Sequence, residues 1–275
     1  MNNLYYINCL TNLHVGSGDV NYNIVDQEVE KDPVTGNPVV HASGIKGALR
    51  DAFHAKVEQG KAAPFTQENE NRIFGKAGDD EKDKTDSAGA YRFLNAQMLS
   101  RPLRCTESAY ISVTTLDIIN DFVAMLEAFG IASPIPDFNE NIAQMVTFGR
   151  DTSFLISVGG GQVEGERTGE LPQEVVKALK PLLGERFAIA KSFDDYDLPV
   201  IARNNLQTPK GNLWYEEYVP HHSRFYCIII TPDESSNKDE NLPTLENVVP
   251  KLVQVGGNAS VGYGYCKFEK AGIVR

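Results

Sequence analysis

Between His14 and Arg50 the chain reads HVGSGDVNYNIVDQEVEKDPVTGNPVVHASGIKGALR. It carries a histidine beside a Gly16-Ser17-Gly18 turn, a carboxylate at Asp26, and Lys46 and Arg50 at a helix start. These are the residue types that grip a phosphate backbone and act on it. An imidazole titrates near neutral pH and serves as acid, base or orienter. A carboxylate takes up a proton or holds a cation. The free N–H groups and dipole of a helix N-terminus attract phosphate, and Ser43, Gly44, Lys46 and Gly47 form such a first turn with charge and room for close approach. Each residue also has an ordinary reading. Asp26 could satisfy backbone N–H groups in a turn, and Lys46 and Arg50, four apart, could be a solvated helix face.

Two later stretches bear on the same chemistry. Gly256-Gly257-Asn258-Ala259-Ser260-Val261-Gly262-Tyr263-Gly264 is a glycine-rich loop that leads into a strand rather than a helix. Arg186 to Pro220 reads as irregular and interleaves Lys191, Arg203 and Lys210 with Phe193, Tyr196, Trp214, Tyr215 and Tyr218. Cations among aromatics are what single-stranded RNA contacts require. A protruding hairpin with a hydrophobic base has the same composition.

Other chemistries find no support. There is no Walker A motif and no GxGxxG leading into a helix, so no nucleotide cofactor is expected. GxSxG, HExxH and close His/Cys clusters are also missing, and of the five histidines only His14 stands beside a glycine turn and a candidate carboxylate. The four cysteines are widely spaced, as expected for free thiols in a reducing cytoplasm. No apolar run is long enough for a membrane span, and the N-terminus does not read as a signal peptide.

The net charge of −11 argues at first against a nucleic-acid partner. Its distribution changes that reading. Residues 66–87, 194–197 and 232–247 contribute −3, −3 and −4, leaving −1 for everything else. The acidity is regional, and the remainder can present a basic groove.

The elements that must position these residues follow from periodicity. Strands are expected at Leu4–Leu13, in Tyr91–Thr106 with a break at Arg101-Pro102, in Thr152–Val163, at Phe225–Thr231 (central and fully buried) and at Tyr265–Glu269. Ile24–Glu30 and Pro38–His41 suggest a hairpin around an Asp32–Gly36 turn. Ser43 is the expected cap of a helix with Ile45, Ala48, Leu49, Ala52 and Phe53 on its apolar stripe. Thr66–Ser87 reads as an exposed acidic loop. Further helices are expected at Leu116–Phe129, closed by Gly130, and at Glu174–Leu183, while Thr244–Val255 is helical in pattern but broken by Pro250. The sum is an α+β fold with an antiparallel sheet and helices on one face, the ferredoxin-like or RRM-like layout. The usual aromatic RNA-binding signature of RRMs is missing.

With those residues laid out, the chain resembles the RAMP superfamily of CRISPR effector subunits. The resemblance rests on a strand ending in His-x-Gly-Ser-Gly, Asp26 a few residues on, Thr-Gly-x-Pro, the Ser43-x-x-Lys46-Gly47-x-x-Arg50 helix and the late glycine loop. AGAYRFLNAQMLSRPLR at 88–104 and NLWYEEYVP at 212–220 look like the repeating backbone subunit of the type III-B (Cmr) complex, the corresponding type III-A subunit being the nearest competitor.

The resemblance implies one RAMP domain over 1–275: an RRM-like palm, an acidic insertion at about 66–87 and a projecting β-hairpin thumb at about 186–213. It implies a cytoplasmic endoribonuclease whose copies form a helical filament on the guide of a CRISPR RNA, beside other type III-B subunits. Target single-stranded RNA would be cut at regular intervals with a divalent metal, Mg2+ or Mn2+. Carried over residue by residue, the catalytic aspartate and metal ligand falls on Asp26, and the family's histidine on His14. Glu216 and Tyr218 match positions implicated in cleavage, with the adjacent Glu217 leaving the carboxylate open by one. Ser43, Gly44, Lys46, Gly47, Arg50, Arg203, Gly256, Gly257 and Asn258 would contact RNA.

The implied chemistry is attack of a 2′-hydroxyl on the adjacent phosphorus, giving a 2′,3′-cyclic phosphate and a 5′-hydroxyl. The sequence departs from the pattern in two places. Gln27–Asp32 is more acidic than usual, and Ala42-Ser43-Gly44 replaces the commoner Gly-Ser-Ser at the helix start. Both weaken phosphate attraction at that edge. Two other readings are a filament subunit that binds RNA without cutting it, and a lone processing endonuclease of the same superfamily. No second copy of the Ser43–Arg50 motif supports the latter.

Overall fold

The computed structural model describes residues 1–16, 25–61, 63–76, 87–194, 196–205, 212–232 and 243–272. Ser17, Gly18, Lys210 and the most acidic part of 66–87 lie outside the described residues.

The first strand, β1 (Asn2–Cys9), is followed by the short β2 (Val39–Val40) and by the helices α1 (Ala42–Glu58) and α2 (Gln67–Phe74). Then come β3 (Arg92–Phe93), β4 (Ala96–Cys105), β5 (Ser108–Thr115), α3 (Leu116–Ala128) and α4 (Glu140–Gln144). The middle of the chain forms β6 (Phe154–Ile156), β7 (Gln162–Val163), β8 (Glu166–Glu170), α5 (Gln173–Leu183) and β9 (Phe187–Ala190). A hairpin of β10 (Val200–Asn205) and β11 (Asn212–Glu217) precedes β12 (Arg224–Ile230), α6 (Leu245–Val248), β13 (Leu252–Gln254) and β14 (Tyr265–Lys270).

One large sheet runs in the order β13-β14-β1-β12-β4-β5-β9-β6-β8-β7, with β2 and β3 attached at β4 and β12. Its pairings are antiparallel except β5–β9 and β6–β8. β12 sits between β1 and β4, and Phe225 to Ile229 are buried, as the unbroken apolar run predicts. Alternation along β1 and β12 then divides the core. Tyr5, Ile7, Cys9, Cys227 and Ile229 pack with Ile45, Leu49 and Phe53 of α1, Ile73 and Phe74 of α2, and Val248 of α6. Leu4, Tyr226 and Ile228 pack instead with Phe122 and Leu126 of α3 and with Val175 and Leu179 of α5. The fold is α+β as expected, but helices cover both faces rather than one. A strand with apolar residues at every position needs cover on both sides, and β12 is such a strand.

Five local expectations change, one of them in Thr244–Val255: only Leu245–Val248 is helical, and Leu252–Gln254 beyond Pro250 is the strand β13, paired with β14. Thr66–Ser87 is not a plain loop: Thr66 caps α2, its hydroxyl accepting the Asn69 N–H at 3.2 Å, and Ile73 and Phe74 are fully buried. The apolar pair was strong enough to fold that segment onto α1. Helix α1 starts two residues early, at Ala42, so Ser43 is not its cap. His41 stands at the cap without a side-chain capping bond, and Asn95 Oδ1 accepts the Ala42 N–H at 2.9 Å. A distant asparagine thus supplies the acceptor that a local serine was expected to give. Arg101-Pro102 does not break β4. Pairing with β12 ends at Ser100, so no ladder bond on that side asks for the missing proline N–H. Finally, Phe187–Ala190 is not irregular but a buried strand between β5 and β6.

The four cysteines are free thiols. Among the described residues no helix is long and apolar enough to cross a membrane.

Candidate functional site

The β10–β11 hairpin is a separate two-stranded sheet, in register from Val200↔Glu217 to Asn205↔Asn212. The segment carrying Asp26 lies along its second strand. Asp26 and Gln27 N–H groups both donate to Tyr215 O at 3.1 Å, and the Glu217 N–H donates to Gln27 O at 2.9 Å. The Tyr215 N–H returns a bond to Asp26 Oδ2 at 2.7 Å. Asp26 is exposed, so one carboxylate oxygen is fixed by backbone while the other faces outward without a partner among the described residues. The ordinary role of an aspartate, capping a backbone N–H, therefore serves here to aim a carboxylate at solvent.

Glu216 is different. Its side chain is only 1% exposed, and both oxygens are engaged. Arg203 Nε donates to Oε2 at 2.8 Å and Asn258 Nδ2 donates to Oε1. His14 Nδ1 lies 3.9 Å from the same Oε1. The Arg203 guanidinium rests over the Tyr263 ring at 4.9 Å, and Tyr218 meets that ring edge-on. A buried carboxylate is tolerable only when its charge and lone pairs are matched, and Arg203 and Asn258 do that. Glu217 is also spent. Its Oε2 accepts the Val29 N–H at 2.9 Å and its Oε1 pairs with Lys31 Nζ at 2.9 Å. The two adjacent glutamates thus tie down different neighbours: Glu216 the glycine loop, Glu217 the segment that carries Asp26.

His14 is buried between these parts. Its Nδ1 is 2.8 Å from Glu217 O, and a carbonyl only accepts, so Nδ1 carries a proton. Its own carbonyl accepts the Gly257 N–H at 2.9 Å. Gly256 has φ +77°, and a Cβ there would stand 2.4 Å from that carbonyl oxygen. Only glycine lets the loop come this close. His14, Arg203, Glu216, Gly256, Gly257 and Asn258 therefore form one connected cluster, joined to Asp26 through β11.

The helix-start residues stand apart from that cluster in their contacts. Ser43 and Gly44 are exposed in the first turn of α1, Gly47 has open space where a Cβ would be, and Lys46 has no ion-pair partner among the described residues. Arg50 is committed: its Nε bonds Glu70 Oε1 at 2.8 Å, and His54 Nδ1 bonds Oε2 at 2.7 Å. Burial raises the Glu70 pKa, but the bonds from Arg50 and His54 outweigh that and hold the carboxyl below its usual range. The same hydrogen bond, with its charge, raises the His54 pKa. Nothing in the sequence alone marked Glu70 as Arg50's partner; the Thr66 cap and the Ile73-Phe74 pair were the available signs that this segment folds back.

The described residues hold no group of three or more His, Cys, Asp or Glu side chains that would bind a metal ion. Asp26 is the one candidate carboxylate with an oxygen to spare. A single carboxylate oxygen would suit a hard divalent ion held mainly by ligands other than this chain's, not a resident protein cage.

An extended mixed sheet, a separate hairpin that carries an exposed carboxylate on its second strand, and a glycine loop bonded to the same hairpin make this an α+β protein of a recognisable class. The chain belongs to the RAMP superfamily, whose model matches residues 6–267. It is 26% identical over 283 residues to the CRISPR system Cmr endoribonuclease Cmr4 of Pyrococcus furiosus, covering 94% of this chain and 92% of that protein. With the CRISPR system CMR subunit Cmr4 of Saccharolobus solfataricus the identity is 22%, over 81% and 82% of the two chains. Among solved structures, a chain of the type III-B Cmr-beta complex bound to cognate target RNA superposes with a TM-score of 0.73, at 17% identity and 98% and 97% coverage. Oligomeric Cmr4 from Pyrococcus furiosus gives 0.66 at 24% identity, over 98% of each chain.

Proposed function

We propose that this chain is a CRISPR RNA-binding backbone subunit of a type III-B effector complex, whose copies line the guide and cut complementary target RNA. The similarity to Cmr4 proteins over nearly the whole chain supports the assignment. The observation that carries the cleavage role is Asp26. It alone among the candidate acids is exposed and has an oxygen free, while Glu216 and Glu217 are consumed internally.

In this reading Asp26 takes the 2′-hydroxyl proton as that oxygen attacks the neighbouring phosphorus, the bond from phosphorus to the 5′-oxygen breaks, and the leaving oxygen takes a proton from water to become the 5′-hydroxyl. The fixed backbone bonds of Asp26 to Tyr215 supply the orientation that such a step needs. Alternatively, the same free oxygen of Asp26 would hold an Mg2+ or Mn2+ ion, which would stabilise negative charge on the phosphoryl oxygens, while water rather than Asp26 takes the proton. His14 acts as an orienter, because its ring is held by Glu217 and its carbonyl by Gly257. Glu216 is a positioning residue for Arg203 and Asn258, and Tyr218 positions the same loop through Tyr263. Ser43 to Gly47 and the 256–264 loop grip the guide backbone, leaving cleavage to the hairpin side. The large sheet is the RRM-like palm of a single cytoplasmic domain and the acidic segment near 66–87 an insertion; the thumb expected at about 186–213 narrows to the β10–β11 hairpin, because β9 (Phe187–Ala190) belongs to the large sheet.

The decisive experiment assembles the complex with wild-type chain or Asp26→Ala and supplies complementary RNA. Loss of cutting with retained target binding is the expected result. Equal cutting by both complexes removes Asp26 from the reaction and favours a filament subunit that only binds and spaces RNA. A product ending in 3′-hydroxyl would replace 2′-hydroxyl attack by attack of water.

A further inference from the structure

The four thiols are far apart in sequence, yet the fold brings two of them together. Cys9 ends β1, the first strand, and Cys266 stands near the start of β14, the last; the antiparallel register sets them directly opposite each other. Their Sγ atoms lie 3.9 Å apart. Backbone bonding explains the close approach. The Cys9 N–H donates to Ser223 O at 2.9 Å, and Cys9 O accepts the His222 N–H at 2.8 Å. Both groups therefore point away from β14, which makes Cys9 and Cys266 a non-hydrogen-bonded pair. At such positions antiparallel strands approach to about 4.5 Å between Cα atoms. Disulfides span Cα separations of about 4.4 to 6.8 Å. Closing the gap between the sulfurs thus asks for side-chain rotation and not for movement of a strand. Cys227 is not a rival partner: it lies opposite Tyr5, four residues along β1 from Cys9 and so about 13 Å off.

Both side chains are sealed in the core, in one cluster with Ile7, Val253, Val255 and Phe268. The hydrogen bond with Cys266 and burial hold the Cys9 pKa well above the usual thiol range. The thiolate is the form that reacts with an oxidant, so the closed fold protects the pair. That protection is one strand deep. β13, only three residues long, lies outside β14 at the edge of the sheet, and weakly held edges open at a lower free-energy cost than central strands.

A bond here would join two segments that already build the site cluster. His14 follows Cys9 by five residues, and Gly264 precedes Cys266 by two. The Gly264 N–H donates to Asn12 O at 2.7 Å, and the Gly257 N–H to His14 O at 2.9 Å. When β14 frays, those contacts lose their frame; a covalent link at their root would keep it. The link would also close a loop from residue 9 to residue 266, nearly the whole chain. Such a closure removes far more freedom from the unfolded chain than from the folded one.

We infer that Cys9 and Cys266 are an oxidisable pair, which hydrogen peroxide converts into a disulfide that staples the first strand to the last and holds the 256–264 loop against His14. One thiol, as its thiolate, attacks the O–O bond; a sulfenic acid forms and water is released. The second thiol attacks that sulfur and a second water leaves. The pair has then given two electrons and two protons to the peroxide. A dithiol reductant reverses the change by thiol–disulfide exchange. This chemistry needs no RNA, so it stands apart from the functional reading above.

The test uses the full chain carrying Cys105→Ser, which takes the half-buried thiol on β4 out of competition. The chain is treated with hydrogen peroxide, in buffer and in urea below the unfolding transition. Remaining thiols are alkylated and the peptides mapped by mass spectrometry. The expected product is a Cys9–Cys266 linked peptide pair that dithiothreitol removes and that forms several-fold faster in the low urea. The linked chain should unfold at a urea midpoint about 1 M or more above that of the same chain after dithiothreitol. Cys266→Ala, treated alike, should show no rise; the comparison with the reduced chain needs no variant if that one does not fold. Recovery of Cys9 and Cys266 as alkylated thiols or as separate sulfinic acids after peroxide in low urea overturns the inference. So does a link through Cys227, and so does a linked chain no more stable than the reduced one.

Discussion

Arg203 Nε donates to Glu216 Oε2 at 2.8 Å across the hairpin, on diagonal positions of β10 and β11. Because Asn258 takes the other oxygen, this one carboxylate couples the hairpin to the glycine loop. It also decides what a mutation at 216 reports. A catalytic carboxylate can be removed without unfolding its neighbourhood, whereas a buried counter-ion cannot.

Glu216→Ala should therefore lower stability by about 3–5 kcal/mol, the usual loss when one partner of a buried pair is removed. Denaturant unfolding measures it. In a double-mutant cycle with Arg203→Met, the second change should cost far less in the Glu216→Ala background than in the wild type. Additive losses would show that the pair does not act as a unit. Cutting should fall in both variants, but as a consequence of a displaced loop.

Gly256→Ala places a Cβ 2.4 Å from His14 O at a φ of +77°. Gly262 has φ +84° as well, but nothing lies near its Cβ direction. Gly262→Ala should cost only the left-handed penalty, about 1–2 kcal/mol. Gly256→Ala must also break the Gly257–His14 bond, so it should cost more and should lower RNA affinity. Equal losses of stability in the two variants would mean that the close approach at His14 contributes nothing.

The Glu70 cluster sets a pH dependence. His54 has a raised folded pKa, so its contribution is complete below the ordinary value of 6.5 and disappears as pH rises through the raised one. Glu70 has a lowered folded pKa, so its contribution is complete above the ordinary value of 4.5 and disappears as pH falls through the lowered one. The stability difference between wild type and Glu70→Gln should therefore be largest between pH 4.5 and 6.5 and shrink on both sides. Denaturant titrations from pH 3 to 9 would give this profile; a difference that does not vary with pH would show that the cluster is uncharged or unpaired.

What the sequence displayed and what it hid have physical reasons. β12 was legible because an unbroken run of Phe, Tyr, Cys and Ile has no other home than the middle of a sheet. The stripe of α1 was legible from Ile45, Leu49 and Phe53. Its start was not, because the acceptor for the Ala42 N–H comes from Asn95, far along the chain. His14, Asp26 and the 256–264 loop were visible as motifs, and their grouping was implied by family resemblance. What no local pattern encodes is which carboxylate is spent. Glu216 and Glu217 look alike in sequence, and only the register of β10 on β11 and the return of Val29 and Lys31 assign them different partners.

Lys46 and Arg50 were read together as one cationic helix face, and the structure separates them. Lys46 is half-buried just past the first turn without an ion-pair partner among the described residues, whereas Arg50 is held by the buried Glu70. A lysine that neutralises a phosphate releases counterions, so removing it lowers the slope of log K against log salt by about 0.7–1. Lys46→Ala should show that change in guide-RNA binding while unfolding at nearly the wild-type denaturant concentration. Arg50→Ala should do the reverse. It leaves a buried carboxylate with one partner fewer, which costs about 1–3 kcal/mol, and it leaves the salt slope nearly unchanged. Binding isotherms from 50 to 300 mM salt, with unfolding curves for both variants, separate the two roles. A reduced slope in Arg50→Ala would show that RNA displaces Glu70 and recruits the guanidinium on binding.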